Sequence, residues 1–211
     1  SSAFVGDYHV FSGDLLGILS GKEFVDLNTG NMVISLLNND NSDLMVTSYS
    51  GNVSIISTRN SECSLQSFSL INSSLETSSN ITVIGDKYPS VLVGAILRRN
   101  NIYKTRPTLS FGGVLLTGLK YLLSAFPGAK LNRVSPDVPK LVIDGMIIKV
   151  DGAYVVASSE YGQGNSSFRP AVYFEMCNNG SLVVSQGGKL TLTSSIRLVG
   201  TGMLLSNAGL I

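Results

Sequence analysis

From residue 31 onward the chain is cut into short apolar or alternating runs, separated every few residues by Asn, Asp, Gly or Ser. "NMVISLLN" (31–38), "DLMVTSY" (43–49), "NVSIIST" (52–58), "QSFSLI" (66–71) and "NITVI" (80–84) each have the length and periodicity of a strand. The pattern resumes after residue 128 in "AKLNRV", "KLVIDGMIIKV", "AYVVASS", "AVYFEM", "SLVVS" and "KLTLTSSIRLVG". Short strands satisfy their backbone groups only by pairing with one another, so the expected fold is all-β, a sandwich or barrel of mainly antiparallel strands. "SYSGNVS" predicts a hairpin turn centred on Gly51 and Asn52. Asp144-Gly145 and Asp151-Gly152 predict a hairpin or a bulged corner within "DGMIIKVDGAYVV". No internal repeat, heptad or low-complexity linker is visible, and 211 residues suit a single domain spanning 1–211.

One stretch departs from this pattern. In "VLLTGLKYLLSAF" (114–126), Leu115, Leu119, Leu122 and Phe126 fall on one helical face, Leu116 and Leu123 widen it, and Pro127-Gly128 ends it. A short amphipathic helix is therefore expected against a sheet or at its edge. "SVLVGAILRRN" (90–100) suits either a short helix or a strand.

Charged residues make up only 14% of the chain, against roughly 25% in average soluble proteins. A surface of Ser, Thr, Asn and Gly suits faces covered by neighbouring subunits, or an extracellular protein solubilised by hydroxyls, amides and sugars. With a net charge of +1, the one basic group, Arg98, Arg99, Lys104 and Arg106, is too small for strong nucleic-acid binding and reads as a solvated loop. No run has the length of a transmembrane helix; the longest apolar stretch carries Lys120 in its middle. The start "SSAF" is compatible with release from a polyprotein or with a trimmed fragment.

Candidate chemistry is sparse. Cys63 and Cys177 match no metal or redox spacing; they pair if the fold brings them together, or remain buried free thiols. With His9 as the lone histidine no His/Cys metal cluster is expected, and no cofactor site is read. His9 with Asp7 and a serine lacks any nucleophile-elbow surround. Asp144 and Asp151 read as turn residues, Glu160 and Glu175 have no identifiable partner, and "GQGNSS" (162–167) lacks the Lys-Ser/Thr of a phosphate loop. Sequons at Asn52, Asn72, Asn80, Asn165 and Asn179 matter only in a secreted protein. Ser110 and Lys149 resemble the dyad of birnavirus serine/lysine proteases, in which a desolvated lysine serves as general base. In that family, however, the lysine opens a helix, whereas "MIIKVDGAY" reads as strand and turn, so Lys149 is expected to face solvent and no catalytic residue is assigned.

The segment from Gly85 to Val134 resembles the picorna-like capsid proteins of insect, plant and algal RNA viruses: "SVLVGAILRR", the helix "VLLTGLKYLLSAF", then "PGAKLNRV" as turn and strand. Pro127 replaces the usual arginine, and "FEMCNN" replaces the usual Pro-Tyr after "FE". The resemblance implies a jelly-roll β-sandwich with one or two short helices inserted between strands. It implies a non-enzymatic coat subunit in the virion, assembling with other capsid chains around a genome whose RNA it contacts weakly. The alternatives are a viral or cell-surface receptor-binding β-sandwich, and a polyprotein-processing protease using Ser110 and Lys149.

Overall fold

The computed structural model describes residues 2–4, 9–12, 15–19, 24–36, 45–49, 51–57, 62–100, 105–118, 140–157, 172–193, 196–200 and 204–211. The described residues are all β, but every pairing is parallel, so the expected antiparallel jelly roll is overturned. From Met45 onward each strand pairs with the strand three places away along the chain, which winds it into a three-sided parallel β-solenoid.

The first side stacks β5 (Met45–Tyr49), β8 (Ser67–Ile71), β11 (Ser90–Val93), β14 (Val114–Thr117), β17 (Ala153–Val156) and β20 (Lys189–Leu192). The second stacks β6 (Gly51–Ser57), β9 (Ser74–Thr77), β12 (Ile96–Arg99), β15 (Lys140–Asp144), β18 (Val172–Cys177) and β21 (Ile196–Val199). The third stacks β7 (Glu62–Leu65), β10 (Asn80–Val83), β13 (Thr108–Phe111), β16 (Ile147–Val150), β19 (Ser181–Val184) and β22 (Leu204–Asn207). Before them, β1 (Ser2–Phe4), β2 (His9–Ser12) and β3 (Leu15–Leu19) lead to β4 (Phe24–Leu36). β4 serves two sides, pairing with β5 through Phe24–Leu27 and with β6 through Gly30–Leu36, so the first two sides are joined there.

Parallel stacking follows from how inward residues align. With strands of four or five residues, two side chains point in, and in a parallel stack they fall directly over those of the coil below. Cys63, Ile81, Leu109, Ile148 and Leu182 form one such interior row, and Leu65, Val83, Phe111, Val150 and Val184 a second. Val53, Leu75, Leu97, Ile143 and Met176 form a third row from the second side. All of these residues are buried, and each large side chain contributes about 1.5–3 kcal/mol by leaving water. The alternation that predicted sandwich strands is thus real, but its partner is the next coil rather than a facing sheet.

The turns change meaning accordingly. Tyr49 and Gly51 end and begin strands on different sides, so "SYSGNVS" is a corner and not a hairpin. Asp144-Gly145 and Asp151-Gly152 are likewise corners, joining β15 to β16 and β16 to β17. "SVLVGAILRRN" forms β11 and β12 with a corner at Gly94, whose φ of 62° lies under Asn72, φ 49°, in the preceding coil. Both corners need the left-handed region, which Gly and Asn enter most cheaply. Residues 114–117 form β14 rather than the start of a helix, and residues 119–139 lie outside the described residues. No helix among the described residues is long and apolar enough to cross a membrane.

A repeat is also present. Met45 pairs with Ser67, Asn52 with Ser74 and Ser74 with Ile96, a spacing of 22 residues in each case. Excursions after β14 and β17 stretch later coils: Val114 pairs with Ala153, 39 residues on, and Ala153 with Lys189, 36 residues on.

Buried hydroxyls are paired inside the coils. The hydroxyls of Thr117 and Tyr154 meet at 2.6 Å, and Thr77 Oγ1 donates to the Ile55 carbonyl at 2.8 Å. The Tyr154 ring meets Phe174 edge-on at 6.4 Å between centroids. Burial pushes the Cys63 thiol from 9.0 up to about 12, and burial raises Tyr154 against the opposing effect of its Thr117 hydrogen bond. Unfolding frees Cys63 to ionise at its ordinary pKa of 9.0. The unfolded chain therefore sheds a proton that the folded chain keeps until about pH 12. The stability from keeping the thiol neutral is full below pH 9.0 and is lost as pH rises from there, by about 1.4 kcal/mol per pH unit. Urea midpoints should therefore fall between pH 8 and pH 10.5, and fall less in Cys63→Val; equal pH slopes in the two proteins would contradict this assignment.

Candidate functional site

The corner between the second and third sides carries an open cleft of about 460 Å³, lined by Arg99, Thr105, Arg106, Ile147, Asn178 and Asn179. Its floor is built by turns from three successive coils. Arg99 ends β12 and passes over Gly145, where a Cβ would stand 3.1 Å from its Nε. The Ile147 N–H donates to the Pro107 carbonyl at 3.0 Å, tying the lead into β13 against β16. In the third coil Asn178 and Asn179 adopt φ of 51° and 62°, and the Gly180 N–H closes the turn on the Cys177 carbonyl at 2.9 Å. Two consecutive left-handed residues are a task for which Asn is suited, because its short amide compensates locally for the strain.

Arg106 reaches across these turns. Its Nη1 donates to the Asn179 carbonyl and lies 3.4 Å from Ser181 Oγ. Asn178 Nδ2 donates to Asp144 Oδ1 at 2.6 Å. Beside the cleft, the outward row of the second side runs Ser54, Glu76, Arg98, Asp144, Cys177. Arg98 there bridges Glu76 and Asp144, each at 3.4 Å. Further along, Lys140 pairs with Glu175 at 3.1 Å, and the Arg197 guanidinium lies 5.7 Å from the centre of the Tyr173 ring. These ion pairs are exposed and add little stability, but they decide where cationic charge is already neutralised. Arg98 and Lys140 are matched by carboxylates, whereas no described carboxylate lies within ion-pair distance of Arg106.

The chemistry this arrangement supports is recognition. It offers a guanidinium held in place by neutral oxygens, with the Asn179 amide and the Thr105 hydroxyl directed to no partner among the described residues. Among those residues no group of three or more His, Cys, Asp or Glu could hold a metal ion.

The candidate residues read from the sequence fall as follows. Ser110 and Lys149 are register partners on β13 and β16, both outward, but Lys149 is 44% exposed and its Nζ lies 3.6 Å from Asp151. An exposed lysine with a carboxylate beside it lacks the desolvated surroundings in which a lysine serves as general base. Asp144 and Asp151 sit at opposite ends of β16, one with Arg98 and Asn178, the other with Lys149 and Ser185, and form no carboxylate pair. Glu175 is engaged by Lys140, while Glu160, Asp7, Lys104 and residues 162–167 lie outside the described residues. His9 is placed on β2 opposite Val25. Cys63 lies in the interior of the third side and Cys177 on the outer face of the second, and both are free thiols. Of the sequons, Asn72, Asn80 and Asn179 are exposed at corners, Asn52 accepts a 2.7 Å hydrogen bond from Ser74, and Asn165 lies outside the described residues.

Arg106 was visible in the sequence only as one of a loose basic group. Asn178 and Asn179 carried a single signal, the turn tripeptide Asn178-Asn179-Gly180, which marks a corner but not its neighbours in space, and Thr105 carried none. No protein-family model, curated protein or solved structure matches the chain.

Proposed function

We propose that this chain is a non-catalytic binding module: a rigid solenoid that presents a ligand cleft at one corner of three adjacent coils. The observation that carries this reading is Arg106, fixed by a backbone carbonyl and a serine hydroxyl in an open cleft with no described carboxylate beside it. Solenoids suit such work because stacked repeats form an extended, rigid surface, and departures from the repeat gather on one side as the binding face. This is the second of the readings drawn from the sequence, moved from a sandwich to a solenoid. The coat-subunit reading leaned on a jelly roll and on the helix that resemblance requires, and the parallel stacking withdraws the first of those supports.

The test is a thermal-shift screen of the chain against small anions, sugars, nucleotides and amino acids. A binding module should give a saturable rise in Tm with at least one class. Arg106→Ala should abolish that rise, and the ligand should be recovered unchanged after incubation. A ligand consumed during incubation would make the protein an enzyme. A panel with no Arg106-dependent rise would sink the reading.

A further inference from the structure

We infer that the cleft recognises an acidic saccharide, its carboxylate on Arg106 and its hydroxyls on Asn179 and Thr105. The inference rests on the binding-module reading and specifies its ligand.

Charge sets the first half of the assignment. Arg98, one residue before the cleft-lining Arg99, is spent on Glu76 and Asp144, so the outward row beside the cleft has no cation left over for a ligand. Arg106 is different: its Nη1 is anchored by the Asn179 carbonyl and Ser181 Oγ, both uncharged, which orients the guanidinium without cancelling its charge. An oriented, uncancelled guanidinium is suited to a planar carboxylate, which it can grip through two parallel N–H donors.

The lining sets the second half. Among the described residues that line the cleft, Ile147 is the one apolar side chain and none is aromatic, so those residues give a nucleobase no face to stack on and a peptide no pocket for a hydrophobic anchor. The remaining groups are two amides, a hydroxyl and a second arginine. Asn178 already donates to Asp144, which leaves its Oδ1 as an acceptor, while the Asn179 amide supplies both donor and acceptor. Alternating donors and acceptors around one cation are what a hydroxylated ring carrying a carboxylate needs. The left-handed turn at 178–179 holds the two amides on successive residues, so the specificity for hydroxyls is built into the corner itself.

The experiment is calorimetric titration of the chain with tri-galacturonate, with neutral tri-galactose and with acetate as separate probes, at low and at 0.5 M salt. Tri-galacturonate should bind, lose at least tenfold in affinity in Arg106→Gln, and weaken with salt. In Asn179→Ala the same ligand should weaken severalfold while acetate binding, if measurable, stays unchanged. Circular dichroism melts establish that each variant is folded, and Thr105→Ala provides a third, turn-neutral change. Equal affinity for the neutral and acidic trisaccharides would overturn the charge assignment but leave a binding module in place. Acetate binding as tightly as the saccharide would overturn the hydroxyl assignment. Absence of binding by all three probes would overturn the inference, whereas the binding-module reading falls only if the broader thermal-shift screen is also empty.

Discussion

Phe111→Ala is expected to destabilise the protein by about 3–5 kcal/mol, one of the largest effects of any single truncation in the chain. Phe111 is 1% exposed on the inner face of β13, between Val83 of the coil before and Val150 of the coil after. Removing its ring leaves a void in the middle of an interior row, and neither neighbour can close it, because each is held in register by its own strand. A loss of this size is a large share of the total for a domain of ordinary stability. Urea denaturation followed by circular dichroism measures it; the conservative change Phe111→Leu should lose much less. A Phe111→Ala midpoint within about 0.5 kcal/mol of the parent would mean that this ring is not in a packed interior.

Gly152→Ala should also be severely destabilising, for a different reason. At the corner between the third and first sides, Gly113, Gly152, Gly188 and Gly209 recur in successive coils. A Cβ on Gly152 would stand 2.3 Å from the Gly113 carbonyl oxygen and 2.5 Å from that of Gly112. Both obstacles are backbone, and both belong to the coil beneath, so relief requires the two coils to separate at a point where Ala153 N–H donates to the Gly113 carbonyl at 3.1 Å. The expected cost is about 2–3 kcal/mol, toward the upper end for overpacking. Gly187→Ala is the internal comparison: nothing lies within 4 Å of its added methyl, and its cost comes from its φ of 91° alone. Because that strain is itself about 1–2 kcal/mol, Gly152→Ala should be the worse of the two. Thermal unfolding ranks them, and the reverse order would show that the glycine stack does not set coil spacing.

The sequence carried the strands but not their neighbours. Runs such as "QSFSLI" and "NITVI" became β8 and β10 because alternation reports which residues point inward. It does not report what the strand is paired with, and an inward Leu is equally buried beneath a facing sheet or a coil. The parallel partners lie 22 residues away in coils such as β5 to β8 and 33–46 residues away once the excursions intervene, so insertions of unequal length blurred the repeat. The signal that survives the insertions is the corner glycine in "FGGV", "VDGA", "QGGK" and "NAGL", each at the end of a short strand. The helix expected at 114–126 failed at its first turn because Leu115 and Thr117 are the inward residues of a strand, a spacing of two that the heavier spacing of Leu115, Leu119 and Leu122 concealed. The cleft was less legible still. Arg106 and Asn179 are 73 residues apart and meet only because whole coils stack.

Everything above rests on that stacking, and engineered disulfides test it most directly. Ser110, Lys149 and Val183 are consecutive outward neighbours on β13, β16 and β19, within the reach of a disulfide between adjacent strands. The double variants Ser110→Cys with Lys149→Cys, and Lys149→Cys with Val183→Cys, should each form an intramolecular bond under mild oxidation, seen by mass spectrometry of unreduced peptides, with the circular dichroism spectrum unchanged. A control pair on different sides, Ser110→Cys with Thr191→Cys, should stay reduced. Failure of both neighbouring pairs to close, in variants that remain folded, would contradict the parallel solenoid and with it the cleft built on its corner.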